Sequence, residues 1–561
     1  MRCMPGDLKY DKVPVSPPTI MKSETAGWLL HLALALGLVL VLTPAARARA
    51  AAEKRGTGRN QAEADALFTN GVLHVLKLTI PERGVRALRR EPRNNVTATL
   101  SEGTMVWTNI LVRLKGGVGS FRDVDDKPGF TLSLGDTNGT FHGVRKFHLN
   151  NSVQDPSYLS EWICSDIFRQ AGVPAARAAH AVVELNGRRL GVYVLLESIG
   201  SDFLARYFKH THGNVYGQRP NADITESLER MGGREETQWK DLQALAAATR
   251  ENDPERLHTR LTQVLDVPRF LSFMAVEVML DHWDGYTFNV KNYEVYHDLD
   301  TDRMVFMPHD LDQMLRNGNE PIIPGPQGVV ARAILRDPQT RAAYRQRFGE
   351  VFTNVFVAPA LIRRIDLQVA KLSPELEKYD AGLAADLVQN SHDLKERIVG
   401  RYRGLASQLR AWEAGRITFT NDIARITGWR VANEQKNARQ ELVQEPSGRT
   451  ALWIAANGPS AASWRAKVTL APGHYIFEGQ ARSAGVQAMA SDPKGAGAGL
   501  RVSRDDPQPT ARLEGDVPWR KVSYEFSVTA ENPDVDLICE LRAQKGEVWF
   551  DDKSLHLVRV N

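Results

Sequence analysis

Hydrophobic periodicity changes twice along this chain, and the order of textures limits the fold more than any single residue does. From Val72 to about Val194 apolar residues mostly alternate, as in His74-Val75-Leu76-Lys77-Leu78-Thr79-Ile80 and Ile110-Leu111-Val112-Arg113-Leu114. A period of two puts every second side chain on one sheet face, so this stretch predicts strands. One helix interrupts it at Tyr158–Gln170, stopped by Gly172 and Pro174. Asn186-Gly187 predicts a tight hairpin turn. From about Asp223 to Ala414 the period becomes helical, clearest over Asp266–Met279 and Ser391–Trp412, with strand-like pieces at Tyr293–Tyr296 and Met304–Met307. After Thr418 short alternating runs return, separated by turns such as Pro472-Gly473. A β-rich part, a helical part and a second β part read as an α+β chain ending in a β-sandwich or jelly roll.

Composition excludes several classes. With 561 residues, 42% apolar and 25% charged, the chain is neither disordered nor a polytopic membrane protein. Three cysteines are too few for a disulfide framework, and no CxxC occurs. The run from Leu29 to Leu42 is shorter than the ~20 residues of a membrane span but suits a signal-peptide core. Ala48-Arg49-Ala50 then offers a small-x-small cleavage site, so residues 1–50 are expected to be a signal peptide and residues 51–71 a polar, loose mature terminus. Taking the six basic and three acidic residues of 1–50 from totals of 71 and 67 leaves 65 against 64. Such a balance gives no reason to expect a nucleic-acid partner. The expected location is secreted or in the cell envelope, with no stable membrane span after signal removal.

Two stretches of the helical part carry phosphoryl-transfer chemistry. Asp284 is followed five positions later by Asn289, and Asp310-Leu311-Asp312 follows the strand-like Met304–Met307. Transfer to a hydroxyl needs an Asp that orients the acceptor, and an Asn and a further Asp that hold magnesium on the phosphates. In extended chain Asp310 and Asp312 point the same way. The plain alternative for Asp-x-Asp is a turn or a helix cap. In the β-rich part, Lys115-Gly116-Gly117-Val118-Gly119-Ser120-Phe121-Arg122 follows a strand. Glycines let backbone N–H groups approach phosphate oxygens, and Ser120 and Arg122 add donors. Lys127 follows as a phosphate clamp with Glu161 as its available partner; a hairpin and a solvated turn lysine are the alternatives.

Together these motifs resemble the CotH kinase family, the spore-coat protein H type of atypical secreted kinase. The resemblance covers about residues 72–415. Its marks are Arg113 to Arg122, Lys127-Pro128, Asp155-Pro156-Ser157-Tyr158-Leu159, Gly172 to Arg177, Asn186 to Tyr193, Glu197, Gly213-Asn214-Val215-Tyr216, Asp284, Asn292-Tyr293 and Pro308-His309-Asp310-Leu311-Asp312. It implies a two-lobed, protein-kinase-like domain that binds ATP and Mg²⁺ and phosphorylates secreted protein. By carry-over, Asp284 is the catalytic residue. Asp310 is a metal residue and Lys127 the lysine after the glycine loop. With the residue reading above, Asn289 and Asp312 join Asp310 as expected metal residues, and Lys115, Gly116, Gly117, Gly119, Ser120, Arg122, Glu161 and Glu197 join Lys127 as expected nucleotide residues. The family usually has Trp at His309 and Asn at Lys291.

The expected boundaries are a β-rich lobe over 72–221, a helical lobe over 222–415, a linker over 416–428 and a jelly-roll module over 429–561. That module resembles carbohydrate-binding modules through Gly473 to Phe477, Trp519 to Val522 and Gly546 to Asp552. The resemblance makes a polysaccharide or cell-surface glycan a partner. Trp453, Trp464, Trp519 and Trp549 are sugar-stacking candidates whose plain alternative is core. Asp551 or Asp552 could serve a structural Ca²⁺. Two rival functions stand beside the kinase: a non-catalytic surface or coat protein, which the His309 and Lys291 departures fit, and a carbohydrate-active enzyme, which needs two carboxylates ~5–9 Å apart.

Overall fold

The computed structural model describes residues 60–560 apart from 136–138, 218–221, 227, 234–238, 415–416, 433–435, 490–496, 504–511 and 530–533. The expected signal peptide lies outside the described residues. The stretch expected to be loose is not loose throughout. Residues 60–69 form helix α1, whose Ala64, Leu67 and Phe68 are buried against the first β core. That spacing of i, i+3 and i+4 is helical.

Seven strands close into a barrel in the order β1-β2-β3-β4-β5-β7-β6. They are β1 (Leu73–Thr79), β2 (Val96–Glu102), β3 (Met105–Lys115), β4 (Gly129–Ser133), β5 (Lys146–Asn150), β6 (Ala178–Leu185) and β7 (Arg188–Glu197). Neighbours pair antiparallel except β1 with β6, which run parallel and close the ring. Alternation supplies the filling: Leu76, Leu78, Leu100, Ile110, Val112, Phe130, Leu132, Phe147 and Leu149 all turn inward. Asn186 and Gly187 both have positive φ, at 49° and 83°, as a tight turn between right-twisted strands requires. Asn186 also caps the closing seam, accepting from Ile80 N at 2.8 Å and donating to Ile80 O at 2.9 Å.

Helix α2 (Glu82–Arg90) leans on β2 of the barrel, and α3 (Ser160–Gln170) joins the barrel to the helical part. Asp155 builds its start, accepting from Ser157 N at 3.1 Å and Ser160 N at 2.9 Å. The helices that follow are α4 (Ser201–Leu204), α5 (Lys240–Thr249), α6 (Pro254–Val264), α7 (Val267–Met279), α8 (Tyr286–Asn289), α9 (Val329–Arg336), α10 (Pro338–Asn354), α11 (Ala358–Tyr379) and α12 (Ala381–Ala414). Ile163, Ile167 and Phe168 of α3 belong to the largest core, shared with α5 to α12, whereas Phe203 and Leu204 of α4 join a smaller cluster with Tyr296 and Met307. Inside this part lies a small sheet, β11-β10-β8-β9, with β8 (Val215–Gly217), β9 (Glu229–Gly232), β10 (Tyr293–Asp298) and β11 (Arg303–Pro308). The strand β8 falls before the expected lobe boundary at 221, yet it pairs with β10 beyond it.

The third part is all antiparallel strand around its own core. Its strands at 450–469, 473–488 and 534–551 are long, and register breaks at Asn457/Ser460 and within 481–486 let them bend. Residues expected to be linker supply one of its edge strands, Ile423–Arg425. Arg345 of α10 pairs with Asp534 at 3.1 Å and ties this part to the helices. Cys164 and Cys539 are buried free thiols. No helix of the described residues is long and apolar enough to cross a membrane.

Candidate active site

Strand β3 ends on Lys115, and the pattern that buries Ile110, Val112 and Leu114 hands its last residue to the barrel's rim. Opposite it stands Gly129, where a Cβ would lie 3.1 Å from the Lys115 side chain, so glycine there gives the lysine its room. Lys115 Nζ donates to Asn150 Oδ1 at the end of β5, and Asn150 Nδ2 donates to Glu161 Oε2 at 2.6 Å in the first turn of α3. Asn150 is thus a relay between a half-buried lysine and a buried glutamate.

Two loops of the helical part close on this relay. His309 N donates to Asn292 O at 2.9 Å, setting the 309–312 loop beside the 289–292 turn. Ser160 Oγ donates to Leu311 O at 3.0 Å, fastening that loop to α3. Asp310 adopts φ 55°, a turn that only a few residue types accept without strain. The result is a crowd of acids around one cation. Burial lowers the Lys115 pKa, while Glu161, Asp310 and Asp312 act to raise it. Burial, then Asp310, push Glu161 up to about 7. Burial, then Asp310 and Glu161, push Asp312 up as well.

Such a surplus of carboxylate is what a divalent cation relieves, and an all-oxygen set suits Mg²⁺. Among the described residues, Asp310, Asp312 and Glu161 do not bring three ligand atoms within 4.8 Å of one another. The donors therefore fit an ion held by one or two carboxylates with phosphate oxygens completing its shell, the usual way Mg²⁺ is bound.

Asp284 faces the same turn. Its Oδ1 accepts from Asn289 Nδ2 at 2.8 Å and lies 3.2 Å from Lys291 Nζ; its Oδ2 accepts from Asn292 Nδ2 at 3.3 Å. Asn289 thus spends its amide N–H on Asp284 and keeps only its oxygen for a cation. Lys291, at a departure from the family pattern, is the ion partner of Asp284. Lys291 stood out in the sequence only as that departure, and Asn150 was not expected to matter. The signal for Asn150 was the polar pair Asn150-Asn151 ending an apolar strand.

The glycine loop is bonded to itself and to its neighbours. Gly116 and Gly119 have positive φ, and a Cβ on Gly116 would meet the Phe121 backbone at 2.9 Å. Gly117 N donates to Ser120 Oγ at 2.9 Å, so that amide is already used. Arg122 turns onto Gly119 O and Phe121 O, at 2.9 and 2.7 Å, and pairs with Asp126 at 3.4 Å. Asn151 Nδ2 bonds Ser120 O and Lys127 O, at 2.9 and 2.8 Å, clamping both flanks. Val118 stands wholly in solvent at the tip.

Two expected nucleotide contacts lie elsewhere. Lys127 does not pair with Glu161. It packs over the rings of Tyr158 and Tyr193, with Nζ 3.2 Å from Tyr158 Oη, and burial lowers its pKa to about 8. An aromatic box replaces the carboxylate because Tyr158 and Tyr193 flank the turn that Lys127 occupies. Glu197 is buried between Arg177 and Arg206, at 2.8 and 2.6 Å, and both its oxygens are taken.

A second buried acid borders the cluster. Glu294 of β10 is pushed up to about 7 by burial, with Lys146 and Lys115 pulling it down. Its carboxyl then ionises more readily in the unfolded chain than in the folded one. Stability falls as pH rises from about 4.5 to about 7, and the loss persists above. One unit is worth about 1.4 kcal/mol, so Glu294→Gln should stabilise by up to about 3 kcal/mol at pH 8 and by little at pH 4.5. Urea denaturation at both values checks this, and a difference independent of pH refutes it.

In the all-β part, Trp464 is buried. Trp453, Trp549, Arg482 and Trp519 form a half-buried row across adjacent strands, where Arg482 stacks 3.5 Å from the Trp549 centroid and Arg449 lies 5.0 Å from that of Trp519. Guanidinium groups thus cover ring faces expected to stack sugars. Asp551 and Asp552 each face an arginine, Arg449 at 3.5 Å and Arg425 at 3.9 Å.

Inner spore coat protein H of Bacillus subtilis (strain 168) is 28% identical over 187 residues, covering 31% of this chain and 51% of that protein. Invasin CotH2 of Rhizopus delemar is 23% identical over 333 residues, covering 52% of this chain and 54% of that protein. The chain spans about half the length of these curated relatives. Among solved structures, TmCBM61 in complex with β-1,4-galactotriose shares 14% identity over 24% of this chain and 91% of that one, at a TM-score of 0.19, too low to carry an argument. The model of the CotH kinase protein family matches residues 112–399, which include Lys115, Glu161, Asp284 and Asp310, and the chain belongs to that family.

Proposed function

We propose that this protein transfers the γ-phosphoryl group of ATP to a hydroxyl on an extracytoplasmic protein, in a magnesium-dependent reaction on a kinase-like pair of lobes. One observation carries the reading: Lys115, relayed through Asn150 to Glu161, faces Asp310 and Asp312 while Asp284 lies one loop away. Lys115 holds the nucleotide phosphates as a half-buried point charge. Asp310 and Asp312 would hold magnesium, which when bound spreads the charge on the phosphate oxygens. Asp284 accepts the acceptor's hydroxyl proton as its oxygen bonds to Pγ. The bond from Pγ to the β,γ-bridging oxygen breaks, and ADP leaves. Lys291 sits where it can attend the transferred group. The relatives' names, a spore coat protein and invasins, support a target at a cell or spore surface, and the all-β part would present the enzyme to that protein or to a glycan.

Two substitutions test the roles separately. Asp284→Asn should lower transfer from γ-labelled ATP by ~100- to 10,000-fold while leaving Mg-ATP binding intact. Asp310→Asn should instead weaken the binding itself, because a carboxylate ligand becomes a neutral amide. Retained transfer in Asp284→Asn removes that residue from the acceptor's side. The non-catalytic reading has one observation in its favour, the Lys291 ammonium held against Asp284. It requires wild type to transfer no phosphoryl group from Mg-ATP, and nucleotide binding discriminates the two readings.

A further inference from the structure

Far from any role assigned above, three side chains meet at the barrel's rim. Glu102, the last residue of β2, lies between His74 of β1 and His142 in the turn after β4. Its Oε1 is 2.6 Å from His74 Nδ1 and its Oε2 is 2.5 Å from His142 Nε2. All three donor atoms fall within 4.8 Å of one another. None of the three bonds to a residue of the Lys115 cluster.

The surroundings hold this set in place. Phe141 and Val144 exchange backbone hydrogen bonds at 2.8 and 2.9 Å, which closes the turn carrying His142. His142 takes φ 43°, a strained choice for a residue with a Cβ, and its ring stands edge-on to Phe141 at 4.7 Å. The His74 ring lies 5.4 Å from the His142 ring and 6.1 Å from Phe141. Side-chain exposure rises across the set, 8% for His74, 16% for Glu102 and 31% for His142, so it is walled behind and open in front.

We infer that His74, Glu102 and His142 form a binding site for a divalent transition metal of the zinc class. Two imidazole nitrogens and one carboxylate oxygen suit a borderline cation, whereas Mg²⁺ and Ca²⁺ prefer oxygen alone. Zn–N distances of about 2.0–2.1 Å put tetrahedral donors roughly 3.3 Å apart, so the carboxylate needs to retreat by less than an ångström from each ring. The open side leaves a fourth position for water or another ligand. The ion would join β1, the end of β2 and the 141–144 turn, a staple across three segments. One feature limits its strength. His74 Nε2 is buried with no hydrogen-bond partner, and metal on Nδ1 would place a proton there. A metal-bound imidazole normally passes that proton to an acceptor, worth roughly 10- to 100-fold in affinity, so binding in the micromolar range is expected.

The test uses the full-length protein stripped with chelator and titrated with Co²⁺ alone, then with Zn²⁺. One equivalent of Co²⁺ should give a visible ligand-field band that Zn²⁺ abolishes and millimolar Mg²⁺ does not. His142→Asn tolerates the left-handed backbone, and Glu102→Gln keeps the shape. Each should weaken Co²⁺ binding by more than the roughly 10- to 100-fold that an outer partner is worth. Asp310→Asn should leave the band unchanged, which separates this site from the acids around Lys115. No band in wild type overturns the proposal, as does a band that survives in both rim variants or disappears in Asp310→Asn. Both rim variants are read beside their melting curves, and Zn²⁺ should raise the melting temperature of wild type but not of a folded variant.

Discussion

Lys115→Met is expected to abolish measurable Mg-ATP binding and phosphoryl transfer while the chain stays folded. The lysine is the cation among Glu161, Asp310 and Asp312, and burial already strips part of the water from its ammonium before phosphate arrives. Removing one preorganised donor of this kind costs ~10²–10³ in rate. Here the loss is larger, because Glu161, Asp310 and Asp312 then repel one another and the incoming phosphates with nothing between them. Lys115→Arg does not rescue it. The longer, planar guanidinium cannot occupy the space over Gly129 and keep a single bond to Asn150. Asn150→Leu, which breaks the relay but leaves the lysine, gives an intermediate loss. Equal activity in wild type and Lys115→Met removes Lys115 from the phosphate site.

The largest effect on stability is expected at Arg401 of α12. Its side chain is fully buried, and it donates to four backbone carbonyls: Met279 O at 3.1 Å, Val278 O at 2.6 Å, Glu320 O at 2.7 Å and Gly318 O at 3.2 Å. The first two end α7, immediately before the turn that carries Asp284. The others belong to the loop that follows Asp312. Arg401→Met keeps the volume but orphans Met279 O and Gly318 O, while Val278 O keeps Asp281 N at 3.2 Å and Glu320 O keeps Gln408 Nε2 at 3.1 Å; each buried orphan costs roughly 1–3 kcal/mol, and two arginine bonds are lost besides. A total of about 4 kcal/mol or more is a large share of the 5–15 kcal/mol that holds a typical domain together. Urea denaturation measures it, and a loss below about 1 kcal/mol shows that these carbonyls find other partners.

Local features of the fold were legible because local chemistry decides them. Asn186-Gly187 had to be a hairpin, since both residues accept positive φ. The helix at Ser160–Gln170 followed from its apolar spacing and its Gly172 stop. The helix over 60–69 could have been read from Ala64, Leu67 and Phe68, but its alanines and acids look like polar linker until a core is supplied. Closure of the barrel was not legible. It depends on parallel pairing of β1 with β6, about a hundred residues apart, and no sequence period encodes a partner. The same limit applies to the site. Asp284, Asp310 and Glu161 stood out as acids at telling spacings. Which lysine meets Glu161 was decided by Asn150 at the end of a third strand, and the Tyr158–Tyr193 box that draws Lys127 away is assembled only in three dimensions. Glu197 looked available because nothing in its neighbourhood of the chain announces Arg177 and Arg206.

The central claim is that the acids around Lys115 and the Asp284 turn form one site for magnesium and nucleotide phosphates. Thermal unfolding tests it with four samples: protein alone, with ATP, with Mg²⁺, and with both. Saturation at 100 times the dissociation constant adds ~2.7 kcal/mol of stability, which moves the transition by several degrees. The expected result is a shift with Mg²⁺ and ATP together that far exceeds either alone, and that is lost in Asp310→Asn and Lys115→Met. No shift at millimolar Mg-ATP, or a shift that both variants retain, contradicts the account.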